Sequence, residues 1–236
     1  MSDEPTLILL PGLLCDAALW AAQVEGLADI ADVRVADLTG ADSMAGLAQG
    51  VLTGAPERFA LAGLSMGGYV AQEIMRQAPE RVTHLALIDT NARADTPEQS
   101  ENRKRVMALA EAGRLDQVVQ EMLPNLLHPD NLHNPAIADV FGQMAARIGV
   151  PAFLNQQTAI MNRVDGRADL AKVECPTLIL CGEQDALTPV KVHEEMVGSI
   201  GASAKMKVLA DCGHLSPIEQ PLAVTNTMRR WLSRES

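Results

Sequence analysis

The chain lacks an excess of basic residues: 19 lysines and arginines stand against 30 aspartates and glutamates, for a formal net charge of -11 over 236 residues. Gripping a phosphate backbone or an anionic lipid surface by bulk charge needs the opposite balance, so neither nucleic acid nor membrane is an expected partner. It also lacks clustered cysteines. Cys15, Cys175, Cys181 and Cys212 are scattered among unrelated segments, which gives neither a close metal-ligand pair nor a disulfide framework and predicts a reduced, cytoplasmic protein. No apolar run approaches the ~18–20 residues of a bilayer span. Met1-Ser2-Asp3-Glu4-Pro5 has neither a basic start nor a cleavage site after an apolar stretch, so no secretory signal is expected. Repeats and low-complexity tracts are missing too. What is present, 47% hydrophobic and 21% charged residues, suffices for one sizeable domain carrying an insertion.

Short apolar runs alternate with helical patterns. Strands are predicted at 6–10, 33–36, 59–62, 85–88, 177–181 and 206–209, each bounded by turn or helix signals. Asp16 and Ser43 stand as caps before helical stretches, and Thr188 is read as the cap of a helix beginning near Pro189. Near-continuous apolar strands separated by helices predict an α/β fold, a mostly parallel sheet of about six strands with helices on both faces. Residues 91–172 carry no strand signal and are too long for a loop, so they are expected to form a helical insertion into a core of residues 1–90 and 173–236. Its punctuation predicts four helices: Pro97 to Gly113, Leu115 to Leu127 bent or split at Pro124, Pro135 to Gly149, and one from Pro151.

The chemistry begins at Gly63-Leu64-Ser65-Met66-Gly67. A Gly-x-Ser-x-Gly string arises by chance in roughly one chain in ten of this length, but here it lies between an apolar strand and a helix, the setting of a nucleophile elbow. A serine nucleophile needs a base. His214, in Asp211-Cys212-Gly213-His214 after the last strand, is expected on the same carboxyl edge of the sheet as Ser65. His84 reads as packing, His193 beside Glu194 and Glu195 as a solvated helix face, and His128 and His133 as a loop pair too thin for a metal site. The orienting acid is read as Asp185 in Gly182-Glu183-Gln184-Asp185, with Asp89 as its rival and Glu183 as a weaker third. The backbone N–H groups of Met66 and of Leu13, after Pro11-Gly12, are the expected oxyanion donors.

Leu-Leu-Pro-Gly at 9–12, Gly-Leu-Ser-Met-Gly-Gly at 63–68, Gly-Glu-Gln-Asp at 182–185 and Gly-His at 213–214 together resemble the α/β-hydrolase superfamily over nearly the whole chain. The Ser-Met-Gly-Gly form and short insertion look like its small esterases, enol-lactone hydrolases and carbon–carbon hydrolases. The resemblance implies a helical cap roofing the site, no cofactor or metal, and a small carbonyl substrate cleaved through an acyl-serine. The alternatives are carbon–carbon cleavage, acyl transfer to another acceptor, or a slow ligand-binding receptor built on the same triad. Two departures stand out: Pro11 replaces the usual His before Gly12, and the antiparallel strands that usually lead the sheet are missing. Within the insertion Met107, Met122, Met144 and Met161 are candidates for an adaptable lining, with Met144 carried as a substrate contact. Arg93 and Arg163, at its two ends, are candidates for holding an anionic substrate tail.

Overall fold

The computed structural model describes residues 5–233; Met1 to Glu4, on which the reading of the N-terminus rests, lie outside the described residues. Six strands form one sheet in the order β2-β1-β3-β4-β5-β6, with every pairing parallel. They are β1 (Thr6–Leu10), β2 (Asp32–Val35), β3 (Phe59–Leu64), β4 (Val82–Ile88), β5 (Thr177–Gly182) and β6 (Ala204–Leu209). The α/β expectation holds, and β1 is parallel to both of its neighbours.

Period-two alternation divides the core into two layers. Leu7 and Leu9 of β1, with Ala60, Ala62 and Leu64 of β3, face one side. Ile8 and Leu10, with Phe59 and Leu61, face the other. The first layer is covered by α1 (Ala21–Leu27) and by the last helix, α10 (Pro221–Leu232). The second is covered by α2 (Met44–Gly54), α3 (Met66–Gln77) and α8 (Val190–Ile200). Each fully buried Leu or Ile contributes about 1.5–3 kcal/mol relative to exposure.

Between β4 and β5 lie α4 (Pro97–Glu111), α5 (Leu115–Leu126), α6 (Pro135–Met161) and the short α7 (Arg167–Leu170), with no strand among them. Local signals set their ends. Thr96 and Gln99 close a reciprocal capping box on α4, and Asn134 accepts from the Ala136 N–H at the start of α6. Pro124 neither ends nor splits α5, which runs on to Leu126. Gly149 takes φ 72° and ψ 174°, breaking α6 into two arms at the predicted boundary. By length and mean hydropathy (1.2) α6 is long and apolar enough to cross a membrane. The break at Gly149, the Arg147–Asp16 ion pair and the burial of Phe141, Met144 and Phe153 instead join it to the first core layer.

Corresponding strand ends lie side by side. Leu10 pairs with Gly63, Leu64 with Ile88, Ile88 with Leu180 and Gly182 with Leu209. The ladder continues one step further, since the Ser65 N–H donates to the Ile88 carbonyl (3.0 Å) and the Asp89 N–H to the Leu180 carbonyl (2.9 Å). Ser65, Asp89 and the segments leading to Leu13, Asp185 and His214 therefore leave the same carboxyl edge.

Candidate active site

Ser65 is held at φ 52°, ψ -114°, a region that a non-glycine residue occupies only when its surroundings compel it. The compulsion comes from crowding. A Cβ on Gly63 would land on the backbone of Gly67, and one on Gly67 would land on the Leu10 carbonyl. Glycine at both places lets β3 turn straight into α3 against β1. Thr90, just past β4, braces the turn from behind by donating its hydroxyl to the Ser65 carbonyl (2.8 Å).

His214 lies beyond β6 in a loop fixed by one carboxylate. Glu219, in the short α9 (Ser216–Glu219), accepts from the Gly213 N–H (3.0 Å) and the Leu215 N–H (3.2 Å) through one oxygen. Through the other it accepts from the His128 N–H (2.7 Å) and the Asn131 amide (2.8 Å). The His214 N–H donates to the Leu126 carbonyl at the end of α5 (2.9 Å). The histidine loop is thus stitched to the helical insertion.

Four donors converge on Asp185. Its Oδ1 accepts from the N–H groups of Leu187 (2.9 Å) and Thr188 (2.8 Å). Its Oδ2 accepts from the Thr188 hydroxyl (2.6 Å) and from His214 Nδ1 (2.8 Å). Burial pushes the Asp185 carboxyl up, but the adjacent His214 charge and these hydrogen bonds outweigh it and hold it below the usual range. Burial by itself would lower His214; the Asp185 charge and hydrogen bond prevail, aided by Asp89 and Glu219, and raise it above 6.5. Thr188, expected to cap the following helix, spends its hydroxyl on Asp185 instead, and α8 begins without a side-chain cap.

Asp89 does not bond His214. Fully buried, it accepts from the N–H groups of Gly182 (3.0 Å) and Ser216 (3.3 Å), clasping the β5 end to the segment after His214. Burial pushes its carboxyl well up, and the Asp185 charge adds to that. Glu183 is exposed, and its carboxylate accepts from the Gln184 amide (3.3 Å).

Ser65 and His214 line one cavity of about 390 Å³ together with Gly12 and Leu13. Gly12 lets that loop lie close against the end of β3, since a Cβ there would meet the Leu64 side chain at 3.0 Å. Leu14, two residues on, has φ 59°, and its N–H is taken by Gln156 Oε1 (3.1 Å). Met66 is fully buried at the first position of α3, directly after Ser65. Ser65 Oγ makes no hydrogen bond among the described residues, which leaves it open to a ligand.

The insertion supplies the far wall, including Arg103, Val106, Met122, Asn125 and Arg163. Other candidates fall elsewhere. Met144 is fully buried in the core layer and does not line the cavity, because its face of α6 points toward the helices beside it. Met107 and Met161 are likewise absent from the wall. Arg93 is exposed and pairs with Glu195 (2.8 Å), outside the cavity. His193, read as solvated, is fully buried: Nε2 accepts from the Thr90 N–H (3.0 Å) and Nδ1 donates to the Pro189 carbonyl (3.3 Å). Its spacing with Met196 and Ile200 marks one buried helix face, a signal stronger than the two glutamates beside it. His84 stacks edge-on against Trp231. Burial raises the thiols of Cys15 and Cys212 far above the usual range, with neighbouring carboxylates adding to the shift.

Known proteins resemble this chain over most of its length. A biotin biosynthesis bifunctional protein, BioHC, of Cellvibrio japonicus is 27% identical over 92% of this chain, which spans 45% of that protein. A pimeloyl-[acyl-carrier protein] methyl ester esterase of Nitrosomonas europaea is 26% identical, with 90% of this chain and 89% of that one covered. Among solved structures, a thermophilic esterase from Thermogutta terrifontis with malate bound superposes with a TM-score of 0.87 at 32% identity, covering 98% of this chain and 91% of that one. The model of the alpha/beta hydrolase family matches residues 7–227, and with that span covered the chain belongs to this family.

Proposed function

We propose that the protein is a serine esterase acting on a small carboxylic ester, thioester or lactone, with Ser65 as nucleophile, His214 as base and Asp185 as orienting acid. The observation that carries this reading is the 2.8 Å bond between His214 Nδ1 and Asp185, made by a histidine that shares a cavity with a serine on a strained elbow. The bond fixes Nδ1 as the protonated nitrogen and leaves Nε2 free to accept a proton. The relatives named as methyl ester esterases support ester chemistry, and the 390 Å³ cavity suits a small ligand. Residues 91–172 act as its roof.

In the first step Ser65 Oγ passes its proton to His214 Nε2 and bonds the carbonyl carbon. The N–H groups of Leu13 and Met66 take the oxyanion, the latter aided by the α3 N-terminus. The carbon–oxygen bond to the alcohol then breaks, and the alcohol leaves with the proton from His214. Water follows the same course: it gives a proton to His214 and its oxygen to the acyl carbon, and Ser65 departs, recovering the proton. The partner is a small carbonyl compound, and the chemistry calls on the chain's own groups alone.

The test is turnover of methyl and aryl esters of rising acyl length by the native protein and by Ser65→Ala. Turnover should fall by about a thousandfold or more, and a phosphonate probe should label Ser65 alone. Near-native turnover by Ser65→Ala would sink the assignment.

A further inference from the structure

The cavity wall opposite Ser65 carries more positive charge than its neighbours neutralise. Asp95, with its side chain 1% exposed, is shared by two arginines. Arg163 Nη1 reaches its Oδ1 at 2.6 Å and Arg103 Nε its Oδ2 at 2.6 Å. The remaining acceptors around them are neutral. Gln157 Oε1 takes Arg103 Nη1 (2.8 Å), the Arg93 carbonyl takes Arg163 Nε (2.9 Å), and the Ile160 carbonyl takes Arg163 Nη1 (3.0 Å). The other ion pair on the wall, Arg105–Glu121 at 2.8 Å, is balanced within itself. Two guanidinium groups therefore face one carboxylate, and Arg163, with a side chain only 5% exposed, has one nitrogen, Nη2, with no hydrogen-bond partner among the described residues. Burying such a charge is costly unless a counter-ion completes it.

The position matters as much as the charge. The Arg163 guanidinium lies 4.2 Å from the centre of the Tyr69 ring. Tyr69 stands one turn along α3 from Ser65, an axial rise of about 6 Å, and its N–H donates to the Ser65 carbonyl. Arg103, Asn91 and Tyr69 line the same cavity. We infer that the substrate of this site carries a carboxylate, held by Arg163 Nη2 and the Arg103 guanidinium while its ester carbonyl meets Ser65. The substrate is thus a half-ester of a short dicarboxylic acid, or an ester whose alcohol part bears the carboxylate. This rests on the serine esterase reading and narrows it.

The experiment compares matched esters. Monomethyl glutarate and monomethyl adipate are set against methyl pentanoate and methyl hexanoate for the acyl side, and 4-carboxyphenyl butyrate against phenyl butyrate for the alcohol side. The quantity read is the ratio of kcat/KM for the anionic ester to that for its neutral partner, so that any general loss of activity cancels. One side should show a ratio of about ten or more; Arg163→Gln should lower it about tenfold to a hundredfold, and Arg163→Lys should retain part of it. Arg103→Gln repeats the test if Arg163→Gln does not fold. Ratios at or below unity on both sides, or a ratio unchanged in Arg163→Gln or Arg103→Gln, would overturn the inference. Glutarate binding to Ser65→Ala, read as a thermal shift that 0.5 M salt weakens, is expected whether or not the serine reading stands, and its failure counts against the anion site alone. Loss of all ester turnover with that binding intact counts against the serine reading instead.

Discussion

Replacing Asp185 by Asn separates the two buried aspartates as candidates for the orienting acid. Asp185 accepts four hydrogen bonds on two oxygens, and Asn has one acceptor oxygen. The two backbone N–H groups of Leu187 and Thr188 hold that oxygen at the Oδ1 position, which turns the amide NH2 toward His214 Nδ1. Two donors then meet, and the ring answers by moving its proton to Nε2, where it blocks acceptance from Ser65. Restoring the working tautomer forfeits a charge-assisted bond of about 1.5–3 kcal/mol and leaves a buried donor unpaired at about 1–3 kcal/mol. The sum corresponds to a fall in kcat of about two to four orders of magnitude. The pH profile supplies a second reading. The native protein should lose kcat/KM as pH falls through a His214 pKa raised above 6.5. Without the Asp185 charge the imidazolium is less favoured, so in Asp185→Asn the acid limb moves to lower pH. Asp89→Asn leaves one acceptor for the two N–H groups of Gly182 and Ser216 and removes no hydrogen bond from the imidazole, so it should lower stability more than kcat. The measurement is kcat and kcat/KM from pH 5 to 9 on a methyl ester, with urea midpoints for both variants. If Asp89→Asn lost as much kcat as Asp185→Asn, or if Asp185→Asn stayed within tenfold of native, the triad drawn here would be wrong.

Two further outcomes follow from the packing. Gly67→Ala drives a methyl group into the Leu10 carbonyl, a backbone atom that cannot swing away. It should destabilise by about 3 kcal/mol or more and abolish phosphonate labelling of Ser65; a native-like urea midpoint would contradict the elbow geometry. His193 is held neutral, its pKa pushed down to about 4 chiefly by burial. The unfolded chain binds that proton from about pH 6.5 downward while the folded one refuses it until about 4, so stability is lost as pH falls through this window, by about 3 kcal/mol. His193→Gln can keep an acceptor for the Thr90 N–H without titrating, and its urea midpoint should fall less than the native one between pH 7 and 4.5. Parallel midpoints would show that His193 is not the group responsible.

The fold and the placing of Ser65, Asp185 and His214 at one sheet edge were legible because their signals are local. Strand, glycine, serine, glycine and helix follow one another in sequence around Ser65, and the chain order of Asp185 and His214 follows the strand order. What escaped depends on contacts between distant segments. The glutamates beside His193 argued for solvent, whereas the helix period buries it against Thr90. Thr188 looked like an ordinary helix cap, but a carboxylate three residues earlier competes better for its hydroxyl than the orphan N–H groups of α8. Arg93 and Arg163 were paired because they bracket the insertion; chain position gives nearness without direction, and one turned to Glu195 and the other to Asp95. Asp95 and Arg103 gave no signal, because a buried charge cluster leaves no periodic trace.

The bond from Leu14 to Gln156 bears on how the protein can be rebuilt. Gln156 also donates to the Leu38 carbonyl (3.2 Å), so one amide from the second arm of α6 spans the loops after β1 and β2. With the Leu126 carbonyl holding His214 from α5, the insertion supplies acceptors to both loops that shape the site. Exchanging residues 91–172 as a block for a relative's helices would take the Gln156 acceptor from the buried Leu14 N–H and leave the His214 N–H dependent on where the new helix end sets a carbonyl. Recombination at the insertion boundaries is therefore a poor route to new selectivity. Single replacements on the wall, at Arg103, Val106 or Met122, leave the stitches in place and are where the site can be retuned.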